Sequence, residues 1–205
     1  MILGKDHSLF NQSDQSDLSE YLFIVLPYAE ISKEVKSFKR DFFNKYGAYP
    51  GQNSCAHIRL VSFFQPEERE ERLLKASHEV LSQIKGFEVF LNGFGFYGVD
   101  RHVFLDVLNK QSLIDVYHLL RFRLFKELVS LSFLNKRYEP TLNIGTGFSA
   151  LQFMDAVKDY EHEPYTNNFR ITRIHVLKRK APFKTWESLT TLPLAKSEGE
   201  LLGLL

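Results

Sequence analysis

Ala56-His57-Ile58-Arg59-Leu60 and Pro140-Thr141-Leu142-Asn143-Ile144 follow one pattern. In each, two polar residues alternate with apolar ones, and the two-residue period of a β-strand puts the polar pair on one face and the apolar pair on the other. Two such strands in one chain point to two half-sites turned toward a common cleft. They are not equivalent, because only the first carries a histidine.

The flanking sequence places both strands among alternating β and α elements. Tyr21–Leu26 is an apolar run that stops at Pro27 and reads as a buried strand. Ile31, Val35, Phe38 and Phe42 recur at helical spacing and predict a helix over 31–46, ended by Gly47 and Pro50. The first half-motif lies in a strand over about 55–64. Pro66 then opens a helix whose first turns hold Glu67, Glu68 and Glu70, as the helix dipole prefers. Its stripe is Leu73, Leu74, Leu81 and Ile84, and Gly86 ends it. Strands follow at 87–91 and 103–107, with Gly93-Phe94-Gly95-Phe96-Tyr97-Gly98 read as the turn between them. A second long helix covers about 112–131, then come the second half-motif strand, a helix near 149–160 and a single strand at about 169–178. The pattern predicts an α+β fold of two β/α halves joined near residue 100, with a further edge strand around 186–194. Residues 1–19 are rich in Ser, Asp and Gln and read as a flexible N-terminal segment, and 201–205 as a floppy tail.

Composition narrows the class. At 205 residues, with 44% apolar and 25% charged residues, the chain has enough apolar material for a full core. Its net charge of +1 gives no global attraction to nucleic acid, so binding of that kind needs a local basic cleft. A single cysteine, Cys55, excludes an intramolecular disulfide and a cysteine-based zinc cluster. Met1–His7 lacks the apolar core of a leader, and no run approaches the roughly 18 apolar residues of a membrane span. The chain is therefore expected to be cytoplasmic; a monomer is the expected state.

The half-motifs, in this order of elements, resemble those of the 2H phosphoesterase superfamily, which includes the bacterial 2′-5′ RNA ligases and cyclic phosphodiesterases. Members carry two His-x-Thr/Ser motifs, one per lobe, on central strands of a bilobal α+β fold. Here the first stands as His57-Ile58-Arg59 and the second as Thr141-Leu142-Asn143. The 84-residue separation of His57 and Thr141, the apolar strand before Pro27, the helix after Pro66, Leu91-Asn92-Gly93-Phe94-Gly95-Phe96 and Tyr138-Glu139-Pro140 fit the same frame over about 20–180. The resemblance implies antiparallel sheets facing a central cleft, no cofactor and no metal. It also implies a partner with a 2′,3′-cyclic or terminal phosphate, a nucleotide or an RNA end. In the family the two histidines act as general base and general acid, and the hydroxyls two residues on hold the phosphate oxygens. Imidazole suits proton transfer because it titrates close to working pH.

Three of those four positions differ here. His57 is kept as the catalytic imidazole, Arg59 replaces the first hydroxyl, Thr141 replaces the second histidine and Asn143 the second hydroxyl. A threonine hydroxyl cannot shuttle protons at neutral pH. Loss of one acid–base partner removes roughly 3–5 kcal/mol of barrier lowering. Phosphate binding keeps its donors: a bidentate fork from Arg59, a hydroxyl from Thr141 and an amide from Asn143. The expectation is a phosphate-binding cleft with weak or lost phosphodiesterase activity. An active enzyme with a rebuilt site, and an unrelated α+β domain for protein interaction, stay open at this point.

Other titratable residues fit ordinary structural roles. Cys55 shares the His57 face by parity, but a lone cysteine is usually a small buried hydrophobe. His175 shares a strand face with Arg173, and His102 begins another strand; both read first as surface histidines, and either would be the replacement for the missing imidazole. His78, His118 and His162 read as solvated. Lys178-Arg179-Lys180 and Arg121, Arg123, Lys126 read as solvated basic faces. The aromatics of Gly93–Gly98 offer a stacking surface for a base.

Overall fold

The computed structural model describes residues 18–127, 138–180 and 185–196. The elements run β1 (Leu18–Val25), α1 (Ala29–Tyr46), β2 (Ile58–Pro66), α2 (Glu70–Leu81), β3 (Phe87–Tyr97), β4 (His102–Val107), α3 (Gln111–Glu127), β5 (Leu142–Gly145), α4 (Ala150–Tyr160), β6 (Thr166–Ile171), β7 (Arg173–Lys180) and β8 (Glu187–Pro193). They form two four-stranded antiparallel sheets, ordered β2-β1-β7-β8 and β5-β4-β3-β6, in the expected bilobal α+β arrangement. The flexible segment read at 1–19 lies outside the described residues as far as 17. Leu18 and Ser19 instead belong to β1, where the Ser19 hydroxyl donates to Glu67 Oε1 at 2.8 Å. The far end of the second long helix and the tail at 201–205 also lie outside the described residues.

β1 is a central strand, which is why seven of its eight residues are buried and its sequence reads as a continuous run rather than an alternation. Glu20 is buried within it, and Arg179 of β7 (2.6 Å) and the Ser62 hydroxyl of β2 (2.8 Å) supply its partners. α4 starts at a capping box, Ser149 with Gln152, that satisfies donors at its first turn.

Helices cross over between the halves. α1 lies with α4 on the second sheet: Phe42 meets Phe94 of β3 and, at 4.5 Å, Tyr160 of α4, and Phe38 meets Phe94 at 5.2 Å. α3 lies beside α2 against β2 of the first sheet, with Arg123 paired to Glu79 at 2.9 Å. Each sheet is thus backed by one helix from either half, and the buried apolar residues form one continuous core.

Three local expectations are corrected. The Gly93–Gly98 stretch is not a turn: β3 runs to Tyr97, with a bulge between Leu91 and Phe94 where Gly93 adopts φ +68°, and the turn is at 98–101. The single strand at 169–178 is two strands in different sheets, β6 beside β3 and β7 beside β1, with Thr172 between them. Buried positions change parity there, from Phe169 and Ile171 to Ile174 and Val176, so the strand turns its apolar face over as it passes from one sheet to the other. The halves do not meet near residue 100, which is the β3–β4 turn. The chain enters the second sheet at Phe87 and returns to the first at Arg173.

Candidate functional site

Both half-motifs open onto one cleft of about 610 Å³. Ile58, Leu60, Leu142 and Ile144 are fully buried, so strand alternation turns His57, Arg59, Thr141 and Asn143 the other way, and all four line that cleft. Arg59 is exposed, His57 and Asn143 are half-buried, and Thr141 is nearly buried.

His57 sits immediately before β2 with Nδ1 2.9 Å from the Cys55 carbonyl oxygen. A carbonyl only accepts, so Nδ1 carries the proton and Nε2 holds the free lone pair. Burial pulls the His57 pKa below the usual imidazole value; the Cys55 carbonyl opposes this, and the Arg59 and Lys39 cations add to it. The ring is therefore neutral near pH 7 and able to accept a proton through Nε2. Arg59 makes no hydrogen bond or ion pair among the described residues, which leaves its fork open to an anion.

The opposite wall comes from two loops tied together. The backbone N–H of Gly147 donates to Asp100 O at 3.0 Å, and Arg101, at φ +48°, reaches the Phe148 carbonyl with its side chain. Asp100, Thr146 and Gly147 face the cleft from this clasp. The floor is aromatic: Tyr97 and His102 are paired across the β3–β4 hairpin, and the Phe104 ring lies 4.6 Å from Tyr97 and 4.8 Å from His102. Gly95, opposite Phe104, has no side chain because a Cβ there would run into that ring.

His102 is the residue whose sequence reading changes most. It lines the cleft rather than the surface. Val103, Leu105 and Val107 of β4 are buried with 0% exposure, His102 on the alternate face reaches the cleft, and Phe104 on that same face is buried beside it. His175 does not line the cleft; it stands on β7 opposite Ile24 and Thr191. Asp100, Tyr138, Glu139, Thr146 and Gly147 were missed as site residues, because loop positions carry no periodic signal.

Other motif residues have structural work. Phe94 and Phe96 pack inward, Phe96 against Phe153, so only Tyr97 of that aromatic run faces the cleft. Lys178 pairs with Glu70 at 2.6 Å and Lys180 with Glu67 at 3.4 Å, while Arg121 donates to the Tyr117 hydroxyl at 3.2 Å. Cys55 is exposed rather than buried, its Sγ 3.8 Å from His57 Nδ1, and its carbonyl is what holds the imidazole. Among the described residues no helix is long and apolar enough to cross a membrane, and no three His, Cys, Asp or Glu side chains are grouped to hold a metal ion.

The loop before His57 is anchored by Lys39, a buried residue of α1. Its ammonium donates to Gly51 O (3.1 Å), Ser54 O (3.0 Å) and Ser54 Oγ (2.7 Å). Burial lowers its pKa to about 8, with the neighbouring Cys55 opposing. In the unfolded chain the amine titrates near 10.5, so between about 8 and 10 the unfolded state binds more protons and raising the pH favours the fold. Urea titrations from pH 7.5 to 10 are expected to show a gain on the order of 2 kcal/mol that Lys39→Met abolishes. A flat wild-type profile refutes this.

Two sheets facing a cleft, with a half-motif on each side, define the fold of the 2H phosphoesterases. The description of the 2′-5′ RNA ligase superfamily matches residues 27–182, and the chain belongs to that superfamily. Among solved structures it is similar to Escherichia coli LigT complexed with 3′-AMP. The identity is 17% and the TM-score 0.64, over 86% of this chain and 98% of that one. LigT complexed with NADP+ gives 14% and 0.60, over 86% and 98%. A Thermus thermophilus protein gives 15% and 0.63, over 87% and 100%. Nothing among curated proteins matches the chain.

Proposed function

We propose that this cleft binds the phosphate of a nucleotide or of an RNA end carrying a 2′,3′-cyclic or terminal phosphate. Phosphodiester turnover in it is slow, because a threonine stands at 141 where the family places its second histidine. The observation that carries this reading is the unpaired Arg59 fork sharing one cleft with His57, Thr141 and Asn143. A cation beside a neutral imidazole, with a hydroxyl and an amide opposite, is a donor set for phosphate oxygens. The volume suits a mononucleotide, since pockets of roughly 300–1,000 Å³ hold ligands of that size. The existence of LigT, which shares this fold, in complexes with 3′-AMP and with phosphate supports the reading.

Calorimetric titration with 3′-AMP, inorganic phosphate and adenosine tests it. 3′-AMP is expected to bind at least tenfold more tightly than adenosine, and phosphate to compete with it. Equal affinity for adenosine and 3′-AMP refutes the proposal, because recognition then does not run through the phosphate.

A further inference from the structure

Among the described residues, three buried polar atoms without a hydrogen bond belong to residues lining the cleft, the Tyr138 hydroxyl, His102 Nε2 and Asn143 Oδ1. His102 and Asn143 stand on adjacent strands. Asn143 is registered opposite Phe104, two residues from His102 on the same face of β4. One is a potential N–H donor and the other a pure acceptor, so a hydrogen bond between them satisfies both, and buried polar atoms strongly favour such pairing. Asn143 favours the protonated ring, opposing the effect of burial. With Nε2–H turned toward Asn143, Nδ1 is the nitrogen left for the cleft. The ring is otherwise fixed by Tyr97 and Phe104, the packing a proton-transfer group needs to hold its position.

We infer that His102, oriented by Asn143, is the second proton-transfer group of this cleft, acting opposite His57 on a bound 2′,3′-cyclic phosphodiester. The inference rests on the phosphate-binding reading of the cleft. Relative to the family motif, the imidazole has moved one strand over, from the position of Thr141 at the edge of β5 to the start of β4. Asn143 stands where the motif has a hydroxyl and serves both neighbours, its Oδ1 toward His102 and its Nδ2 toward phosphate.

The chemistry balances with water as the only co-reactant. The water oxygen attacks phosphorus and its proton passes to His57 Nε2. The bond from phosphorus to one ribose oxygen breaks, and that oxygen takes the proton of His102 Nδ1–H. The product is a nucleoside monophosphate, and the proton returns from His57 to His102 through solvent. Arg59 faces both imidazoles and Asp100 faces His102. Lys39 and Cys55 stand beside His57, Tyr97 beside His102, and Tyr138 and Glu139 line the same cleft. Burial lowers the His102 pKa, Asp100 and Asn143 oppose it, and Arg59 adds to the lowering. An acid that is mostly deprotonated at neutral pH gives slow turnover with an optimum on the acid side of 6.5.

The test is hydrolysis of 2′,3′-cyclic AMP by the full chain, with 3′-AMP affinity measured on the same samples. His102→Gln is expected to lower kcat about 10²-fold or more, with 3′-AMP affinity within about threefold of wild type. His175→Gln is expected to leave turnover unchanged. Asn143→Leu is expected to move the alkaline limb of the kcat/KM profile to lower pH, since the group that favours the protonated ring is gone. The wild-type profile checks the idea without substitution: two ionisations, with the rate falling on the alkaline side, support it. Turnover in His102→Gln equal to wild type overturns the inference, as does a rate that never falls at high pH. Retained 3′-AMP binding with no wild-type turnover overturns the inference and leaves the binding reading standing. Loss of both in the wild type refutes the binding reading itself.

Discussion

Replacing His57 with alanine is expected to slow hydrolysis of 2′,3′-cyclic AMP by about 10²–10⁴-fold, the usual contribution of one general base. Three observations set this size. The Cys55 carbonyl fixes the proton on Nδ1, burial keeps the ring neutral, and the residue lines the cleft where phosphate is proposed to bind. The substitution removes the acceptor without removing the Arg59 cation, so 3′-AMP affinity is expected to change by less than about tenfold. Because the folded-state pKa is lowered, the base stays neutral down to a pH below 6.5, and the rate falls only as pH drops through that lower value. The acid limb therefore lies below 6.5 in wild type and disappears from the residual rate of the variant. Single-turnover rates measured by chromatography across pH 4.5–8 check both parts. An unchanged rate removes His57 from the chemistry.

The second large effect is on affinity. Arg59→Ala is expected to weaken 3′-AMP binding by about 10–150-fold, the equivalent of roughly 1.5–3 kcal/mol for hydrogen bonds to a charged group. Arg59→Lys keeps the charge but not the fork, and is expected to recover only part of the loss. The cation also depresses the pKa of both His57 and His102. Its removal frees both imidazoles to protonate more readily, so the kcat/KM profile of Arg59→Ala is expected to shift to higher pH. Calorimetry and pH–rate profiles read the two consequences separately. Unchanged 3′-AMP affinity in Arg59→Ala shows that the fork does not hold the phosphate.

Strand parity made the half-motifs legible, because one residue of slip would have turned Ile58 and Leu60 out and His57 and Arg59 in. The order of elements was legible for the same reason, each apolar period being long enough to name a helix or strand. The reading failed where a local signal was overridden by geometry. Glycines at 93, 95 and 98 read as a turn, yet Gly95 lies in β3 opposite Phe104, whose ring leaves no room for a side chain there. The strand at 169–178 read as one piece, because a change of parity at Thr172 is a single-residue event in an otherwise uniform β pattern. His102 looked like a surface histidine because its neighbours come from residues 97, 100 and 143, and only sheet pairing brings those together.

The crossed helices bear on how the chain emerges from the ribosome. When synthesis has passed α2, the edge of β1 that will take β7 is unpaired, and Phe38 and Phe42 have no Phe94, Phe148 or Tyr160 to cover them. The first sheet closes only after residue 173 has been added, by which time the whole second sheet has been made. Such an intermediate carries an open strand edge and bare aromatic surface, the features that drive aggregation of nascent chains. A chain cut at the β3–β4 turn is therefore expected to give two aggregation-prone fragments rather than two half-proteins.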